Sequence, residues 1–295
     1  MHLILIMFDI GIIQYLIAGT VFYVLGFLYA LGVQCWGKSH NAYLFYGLIT
    51  IGFAMQSFGL YRQGLRTHSF PLHNTFEILM VMAWSAVMLE LFIRPIFRLP
   101  MLGFFISFLA SVLGGVALLF FDLSAAIPEP AETGNPWVGF HAALAVFSYG
   151  IFGLLAVTSA MYLLQHFSLR GRHTAGLFRN LPPLKRLDDL NKRLLMGGVS
   201  ILTLSIAIGM ANWAHHPESV GATKLFVALG VWVLYMAVHR LRHRNTLLAS
   251  GFAWACIASF GVALVTMGPL TREEVPVEPS PPSASAATPR ETRIS

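Results

Sequence analysis

The chain has 295 residues, of which 56% are apolar and only 11% are charged. Soluble domains carry about a quarter charged residues, so this composition excludes a soluble enzyme. The formal net charge is +6, but basic residues in a membrane protein usually record its topology, and we expect no nucleic-acid partner. The two cysteines are far apart in apolar segments, which excludes a CxxC redox motif and a zinc knuckle.

Apolar runs of about 20 residues, each long enough to cross a bilayer, recur along the whole chain. The predicted spans are 9–34, 42–61, 74–93, 101–121, 137–166, 193–213, 224–239 and 246–268. The first is expected to remain as a membrane helix, since no Lys or Arg precedes it and it is too long for a signal peptide. The sequence therefore predicts an all-α, polytopic membrane helix bundle of about eight transmembrane helices.

The distribution of Lys and Arg predicts the orientation, because cytoplasmic connections accumulate these residues. With the N-terminus outside, 13 of the 19 basic residues lie on the inner side, and an even number of spans puts both termini outside. The longest inner connection is 167–192. Its section LPPLKRLDDLNKRLL has leucines at the spacing of an amphipathic interfacial helix that leads into the sixth span. The Pro-, Ser- and Ala-rich tail, 269–295, is expected to be disordered.

Ionisable groups are absent from the middle of the spans. They occur only near the helix ends: Glu77, His141 and Lys224 on the outer side and Glu90, His166 and His239 on the inner side. A proton- or ion-coupled carrier normally needs such a group near the midplane, so this pattern argues against a transporter.

The outer side gathers histidine, tryptophan and arginine. The residues are His68, His73, His141, His215, His216, Trp137, Trp213, Arg62 and Arg66. Imidazole and flat aromatic surfaces suit haem, which takes axial nitrogen ligands, and the two arginines suit its propionates. The alternative is that all of these are ordinary residues of a membrane interface.

Two helices carry more specific patterns. In the fifth span, polar residues from His141 to His166 recur at steps of three and four, so they share one face, which we expect to turn inward; the serines and tyrosine there also suit hydrogen bonds between helices. In the third, Asn74 or Thr75 can cap the helix. Glu77 suits two roles. Its negative charge can stabilise the positive N-terminal end of the helix as part of the cap, or its carboxylate can accept a hydrogen bond from the free ring nitrogen of a ligating His.

Three stretches together resemble the membrane-embedded cytochrome c assembly superfamily, which includes the CcsA, CcmC, HemX and YpjD proteins. FPLHNTFEILMVMAW keeps the family's Pro71, Asn74, Glu77 and Trp84. WVGFHAALAVFSYGIFGLLAVTSAMYLL resembles its helix with a His, a Ser-Tyr pair and a Tyr-Leu pair. LPPLKRLDDLNKRLLMGGVSILTLSIAIGM resembles the approach to its next span. The resemblance covers about 70–268, which implies two additional N-terminal helices in 1–69.

The resemblance implies that His141 corresponds to an outward-facing haem ligand and that His239 lies close to a second family histidine. The departures are informative too. Where CcsA and CcmC have a tryptophan-rich segment, this chain has ANWAHHPESVGATKLF, and the family's second outer His, after the last span, is missing. The haem site that the family implies is therefore incomplete unless His215 or His216 substitutes for the missing ligand. This pattern is most similar to the HemX and YpjD branch, in which the haem-handling segment is degenerate.

Two functions follow as expectations. In the first, the protein binds or delivers haem on the outer face of the cytoplasmic membrane for cytochrome c assembly, together with other membrane components of cytochrome c maturation, and is not itself an enzyme. In the second, it is a regulatory or scaffolding protein, as resemblance to HemX implies, that influences the level of a haem-synthesis enzyme without binding haem. The second function uses a cytoplasmic partner at the basic loop 167–192.

Overall fold

A computed structural model of the chain describes residues 2–36, 41–97, 99, 101–119, 136–171, 181–215, 222–244 and 246–271. These residues form eight α-helices, and the described part of the chain contains no strand. The helices are α1 (His2–Trp36), α2 (Ala42–Thr67), α3 (Thr75–Phe97), α4 (Leu102–Leu119), α5 (Pro136–Arg170), α6 (Leu184–His215), α7 (Ala222–His243) and α8 (Ala249–Thr271). All eight are long and apolar enough to cross a membrane. The predicted helical membrane bundle is confirmed.

Capping residues set where α2 and α3 begin. Asn41 Oδ1 accepts hydrogen bonds from the backbone N–H groups of Tyr43 and Leu44 at 3.0 and 3.3 Å. Asn74 Oδ1 accepts one from the backbone N–H of Glu77 at 2.8 Å, which confirms Asn74 as a cap of the third helix. Each cap satisfies amide groups that have no partner inside the helix.

The helix α6 differs from the prediction. The amphipathic section is not a separate interfacial helix, because one continuous helix runs from Leu184 to His215. Leu187, Leu190, Leu194 and Leu195 of this section are buried. They pack inside the protein rather than on the membrane surface, and this packing extends the helix beyond the apolar run by which hydropathy identifies the span.

The helix α5 lies at the centre of the bundle, where it packs against α6, α8 and α3, while α2 packs mainly on α1. The predicted inward face of α5 is confirmed, since Ser148, Phe152, Leu155 and Ser159 are fully buried. Ser148 Oγ, however, donates to the carbonyl of Ala145 in its own helix, so this serine makes no bond between helices there.

The helices α5 and α6 run antiparallel, and two contacts fix their register. A Cβ atom added at Gly209 would meet the ring of His141, and one added at Gly198 would meet the ring of Phe152. We call the end of the bundle at which α2 and α6 end and α3 and α5 begin the outer end, after the predicted orientation. The opposite end is the inner end.

Candidate functional site

The imidazole of His141, one turn into α5, is bonded to α6 through a single ring nitrogen. His141 Nδ1 lies 2.6 Å from the carbonyl oxygen of Ser205 and 3.0 Å from its hydroxyl. The same hydroxyl donates to the carbonyl of His141 at 2.9 Å. Because the carbonyl can only accept, these contacts fix the tautomer with a proton on Nδ1. The lone pair is then on Nε2.

Gly209 makes room for this ring. A Cβ atom at this position would lie 2.7 Å from His141 Cε1 and 2.8 Å from Nδ1, closer than carbon atoms approach without displacement. The imidazole is therefore held between a hydrogen bond to Ser205 and the bare backbone of Gly209. A histidine that donates through one ring nitrogen to a carbonyl and keeps the other as an electron-pair donor is arranged as in metal-ligating histidines.

Two tryptophans lie one turn further out, above this histidine. Trp137 precedes His141 by four residues on α5, and Trp213 follows Gly209 by four residues on the antiparallel α6. Four residues bring a helix back to the same face about 6 Å along its axis. Trp137 is 63% exposed and Trp213 is 38% exposed. The outer end thus offers aromatic surface on both helices that hold the imidazole.

A second histidine, at the start of α3, belongs to a closed hydrogen-bond network. Glu77 is 1% exposed, and its Oε2 accepts from the backbone N–H of His73 at 2.8 Å and from His73 Nδ1 at 3.0 Å. Its other oxygen, Oε1, accepts from Gln63 Nε2 at 2.6 Å. His73 Nε2 lies 2.8 Å from Ser69 Oγ. Both ring nitrogens of His73 are therefore bonded inside the protein. We call Gln63, Ser69, His73 and Glu77 the α2–α3 network.

Both predicted roles of Glu77 bear on this network. The carboxylate reaches back past the cap Asn74 to the backbone N–H of His73, just before α3, and it also accepts from an imidazole, but that imidazole is His73. His141 faces the other way. On α5, Gly150 lies against Ser85 of α3, and nine residues separate it from His141, a rotation of about 180°. His141 thus faces α6, away from α3.

The remaining candidate ligands are dispersed. Arg62 and Arg66 lie in the last turns of α2, at the outer end, and Arg62 Cζ is 5.8 Å from the ring centroid of Phe58. His239 lies at the inner end of α7, with its ring 6.4 Å from that of His243, so the bundle separates it from His141. The side chain of His215 and the whole of His216 lie outside the described residues.

At the inner end, an ion pair joins α6 to α7. Arg242 Nη2 donates to both carboxylate oxygens of Asp188 at 2.7 and 2.8 Å, and Arg242 Nη1 donates to the carbonyl of Leu247 at 2.7 Å. Lys192 Nζ lies 2.7 Å from the same carboxylate. Hydrogen bonds between charged groups are short and strong, and these link α6 to α7 and to the residues before α8.

Sequence reasoning missed several residues that position these histidines. Ser205 and Gly209 are 64 and more residues from His141, and nothing in the sequence pairs them with it. Gln63 gave a weak signal as an amide in an apolar helix, and His73 with Glu77 gave a stronger one, since a carboxylate in the first turn of a helix can reach back to residues just before it. In the described part of the chain, no group of three or more His, Cys, Asp or Glu side chains is placed to hold a metal ion.

These features define a class of protein: a multi-pass helical membrane protein that holds a half-buried histidine by one ring nitrogen near one end of the bundle. The model of the family described as "Cytochrome C assembly protein" matches residues 72–271. The chain belongs to this family, and the resemblance found in the sequence is confirmed.

Relatives carry two kinds of name. The chain is similar to Protein HemX of Brevibacillus brevis, with 37% identity over 173 residues, which are 57% of this chain and 61% of that protein. It is 25% identical to Protein HemX of Bacillus subtilis (strain 168) over 219 residues, 70% of this chain and 76% of that protein. It is 24% identical to the cytochrome c biogenesis protein CcsA of Guillardia theta over 218 residues, 66% of this chain and 71% of that protein.

The match thus spans less than two thirds of the Brevibacillus relative and about three quarters of the Bacillus one. The family and these relatives support a membrane role in cytochrome c biogenesis.

Proposed function

We propose that this protein binds haem at its outer end, with His141 Nε2 as an axial ligand, and holds or delivers it for cytochrome c assembly. The observation that carries the proposal is the hydrogen bond from His141 Nδ1 to the carbonyl of Ser205. That bond orients the imidazole and leaves the lone pair of Nε2 for iron. The protein performs no bond-making step itself in this role.

The donor set fits haem better than it fits a bare metal ion. A bare ion needs three or four protein ligands, and the described residues gather no such group. Haem supplies the equatorial nitrogens and the redox chemistry of its iron itself, so the protein needs only axial ligands and walls. Trp137 and Trp213, one turn beyond His141 and Gly209 toward the outer end, supply flat aromatic surface.

Other candidates enter the proposal with different weight. His215, the last residue of α6, and His216, which follows it in the sequence, remain the candidates for a second axial ligand. Arg62 and Arg66 share the outer end and remain candidates for the propionates. His239 lies at the inner end, so it would serve a separate site. Glu77 acts through His73 in this proposal and does not contact haem.

The test is an absorption spectrum of the full chain, purified in detergent from a haem-replete host, in oxidised and reduced form. We expect a Soret band in the parent that is lost in His141→Ala. The matched control is His73→Ala, which removes a histidine from the same end of the bundle but one whose two ring nitrogens are already bonded. It should keep the band. A His215→Ala, His216→Ala double variant identifies the second ligand.

The contrary outcomes have a defined meaning. A band that survives His141→Ala overturns the assignment of the ligand. No band in any preparation favours the second candidate function, regulation without haem, for which the name HemX of two relatives is the support. In that case the level of haem precursors, measured in cells with and without the protein, replaces the spectrum as readout. A location in the cytoplasmic membrane is part of the proposal in either case. The partners differ: they are other membrane components of cytochrome c maturation in the first function and a cytoplasmic partner at 167–192 in the second.

A further inference from the structure

A basic cleft lies at the inner end of the bundle, where α6 begins. Its volume is about 450 Å³. It is lined by Pro183, Lys185, Arg186, Asp189, Leu190 and Arg193. Neither the histidine site nor the salt bridge between Asp188 and Arg242 includes any of these residues. We call this feature the α6 cleft.

The charge in the α6 cleft is positive and accessible. Lys185, Arg186 and Arg193 are all exposed, and none of the ion pairs found among the described residues includes them. The single carboxylate of the lining, Asp189, lies 3.8 Å from Lys192 Nζ, a cation outside the cleft. Three cations therefore face one partly neutralised acid. Such an arrangement favours an anionic group, and guanidinium groups in particular favour the oxygens of a phosphate.

An apolar surface continues from the cleft along the same helix. From Arg193, steps of three and four residues lead to Met196, Ser200 and Leu204, which share a face of α6. Met196 is 57% exposed and Leu204 is 52% exposed. A Cβ atom added at Gly197, between them, would meet no atom within 4 Å. This face is therefore uncovered in the protein, and it lies within a span apolar enough to cross the membrane.

We propose that the α6 cleft binds the headgroup of an anionic phospholipid, with its phosphodiester among Lys185, Arg186 and Arg193 and its acyl chains along Met196 and Leu204. Basic pockets at the cytoplasmic ends of membrane helices suit such headgroups. A free phosphate would use the cations but leave the apolar face uncovered. An acidic protein would also use only the cations, because the apolar face lies at membrane depth. A phospholipid uses both.

The experiment compares two double variants of the full chain that lose the same charge. Arg186→Gln, Arg193→Gln removes two cations of the cleft. Arg170→Gln, Arg240→Gln removes two exposed cations of the inner end outside it. Each protein is placed in nanodiscs with equal amounts of phosphatidylglycerol and phosphatidylcholine, and native mass spectrometry measures the ratio of the lipids retained.

We expect the parent and the control double variant to retain phosphatidylglycerol preferentially. In the cleft double variant the ratio should fall by about fivefold for each cation removed, the usual contribution of one Lys or Arg to anionic lipid binding. Elution volume and helical circular dichroism report folding. If the cleft double variant does not elute as the parent does, Lys185→Gln, a single change at an exposed side chain, takes its place.

Three results would overturn the proposal. One is equal retention of the two lipids by the parent, or equal ratios in the two double variants. Another is displacement of phosphatidylglycerol by millimolar inorganic phosphate, which would identify a soluble phosphate as the occupant. The third is binding of a polyglutamate peptide to the parent in pure phosphatidylcholine nanodiscs, lost in the cleft double variant, which would identify an acidic protein partner.

Discussion

Two histidines at the outer end of the bundle differ in how many of their ring nitrogens form hydrogen bonds. His73 uses both ring nitrogens, one on the carboxylate of Glu77 and one on the hydroxyl of Ser69. His141 uses only Nδ1, on Ser205, and in the described part of the chain Nε2 forms no hydrogen bond. The imidazole of His73 is therefore bonded on both sides within the junction of α2 and α3, whereas that of His141 is bonded on one side. The hydrogen-bond partners, rather than position at the membrane surface, separate a structural histidine from a candidate ligand.

The largest effect is expected from Glu77→Ala. The change removes the acceptor of three hydrogen bonds, two from His73 and one from Gln63 Nε2, at a site where the carboxylate is 1% exposed. Unsatisfied buried donors cost roughly 1–3 kcal/mol each, so the free energy of unfolding should fall by about 3 kcal/mol. Denaturation in mixed micelles with increasing dodecyl sulfate measures it.

The absorption spectrum of Glu77→Ala tests whether the α2–α3 network and the His141 site are independent. Haem bound to His141 should survive Glu77→Ala, because His141 faces α6 and not α3. Glu77→Gln is the control, since it keeps one acceptor oxygen and should lose less stability. A variant with parental stability would show that the α2–α3 network contributes nothing, and loss of the Soret band in a folded variant would place Glu77 in the haem site after all.

Next in size is Gly209→Ala, which breaks the His141 arrangement without removing the ligand. The added Cβ would lie 2.7 Å from the imidazole Cε1, so the ring must move from its position at Ser205. Loss of an orienting contact typically costs 10–100-fold in metal affinity, and we expect a reduction of haem occupancy in this range. Haem titration of the purified protein measures it.

The control for this change is Gly197→Ala, on the same helix, where a Cβ atom meets nothing within 4 Å. It should leave haem affinity unchanged and stabilise α6 slightly, since alanine favours a helix by up to about 1 kcal/mol over glycine. If the two alanine variants bind haem equally well, the position of the ring does not control the ligand.

Much of this molecule could be predicted from the sequence, but not the difference between the two histidines. The apolar runs predicted all eight helices, because hydropathy and length suffice for a membrane span. Helix ends were less accurate: α2 continues to Thr67 and α6 starts at Leu184, since charged turns extend a helix beyond its apolar part. The family resemblance made His141 a candidate ligand, but the sequence did not pair it with Ser205, 64 residues away, because such a pairing depends on how α5 and α6 pack.

The smallest effect is expected from Ser205→Ala, which tests how the imidazole is oriented. The hydroxyl contacts both Nδ1 and the carbonyl of His141, but the shorter contact of Nδ1, at 2.6 Å, is with the backbone carbonyl, which alanine keeps. Haem affinity should therefore fall by less than about tenfold, below the usual range for loss of an orienting partner. Ser200→Ala, at an exposed position on the same helix, is the control and should not change it. If Ser205→Ala loses haem as completely as His141→Ala does, the hydroxyl rather than the carbonyl orients the imidazole. His141 would then be oriented by a side chain, as the ring of His73 is by Glu77 and Ser69.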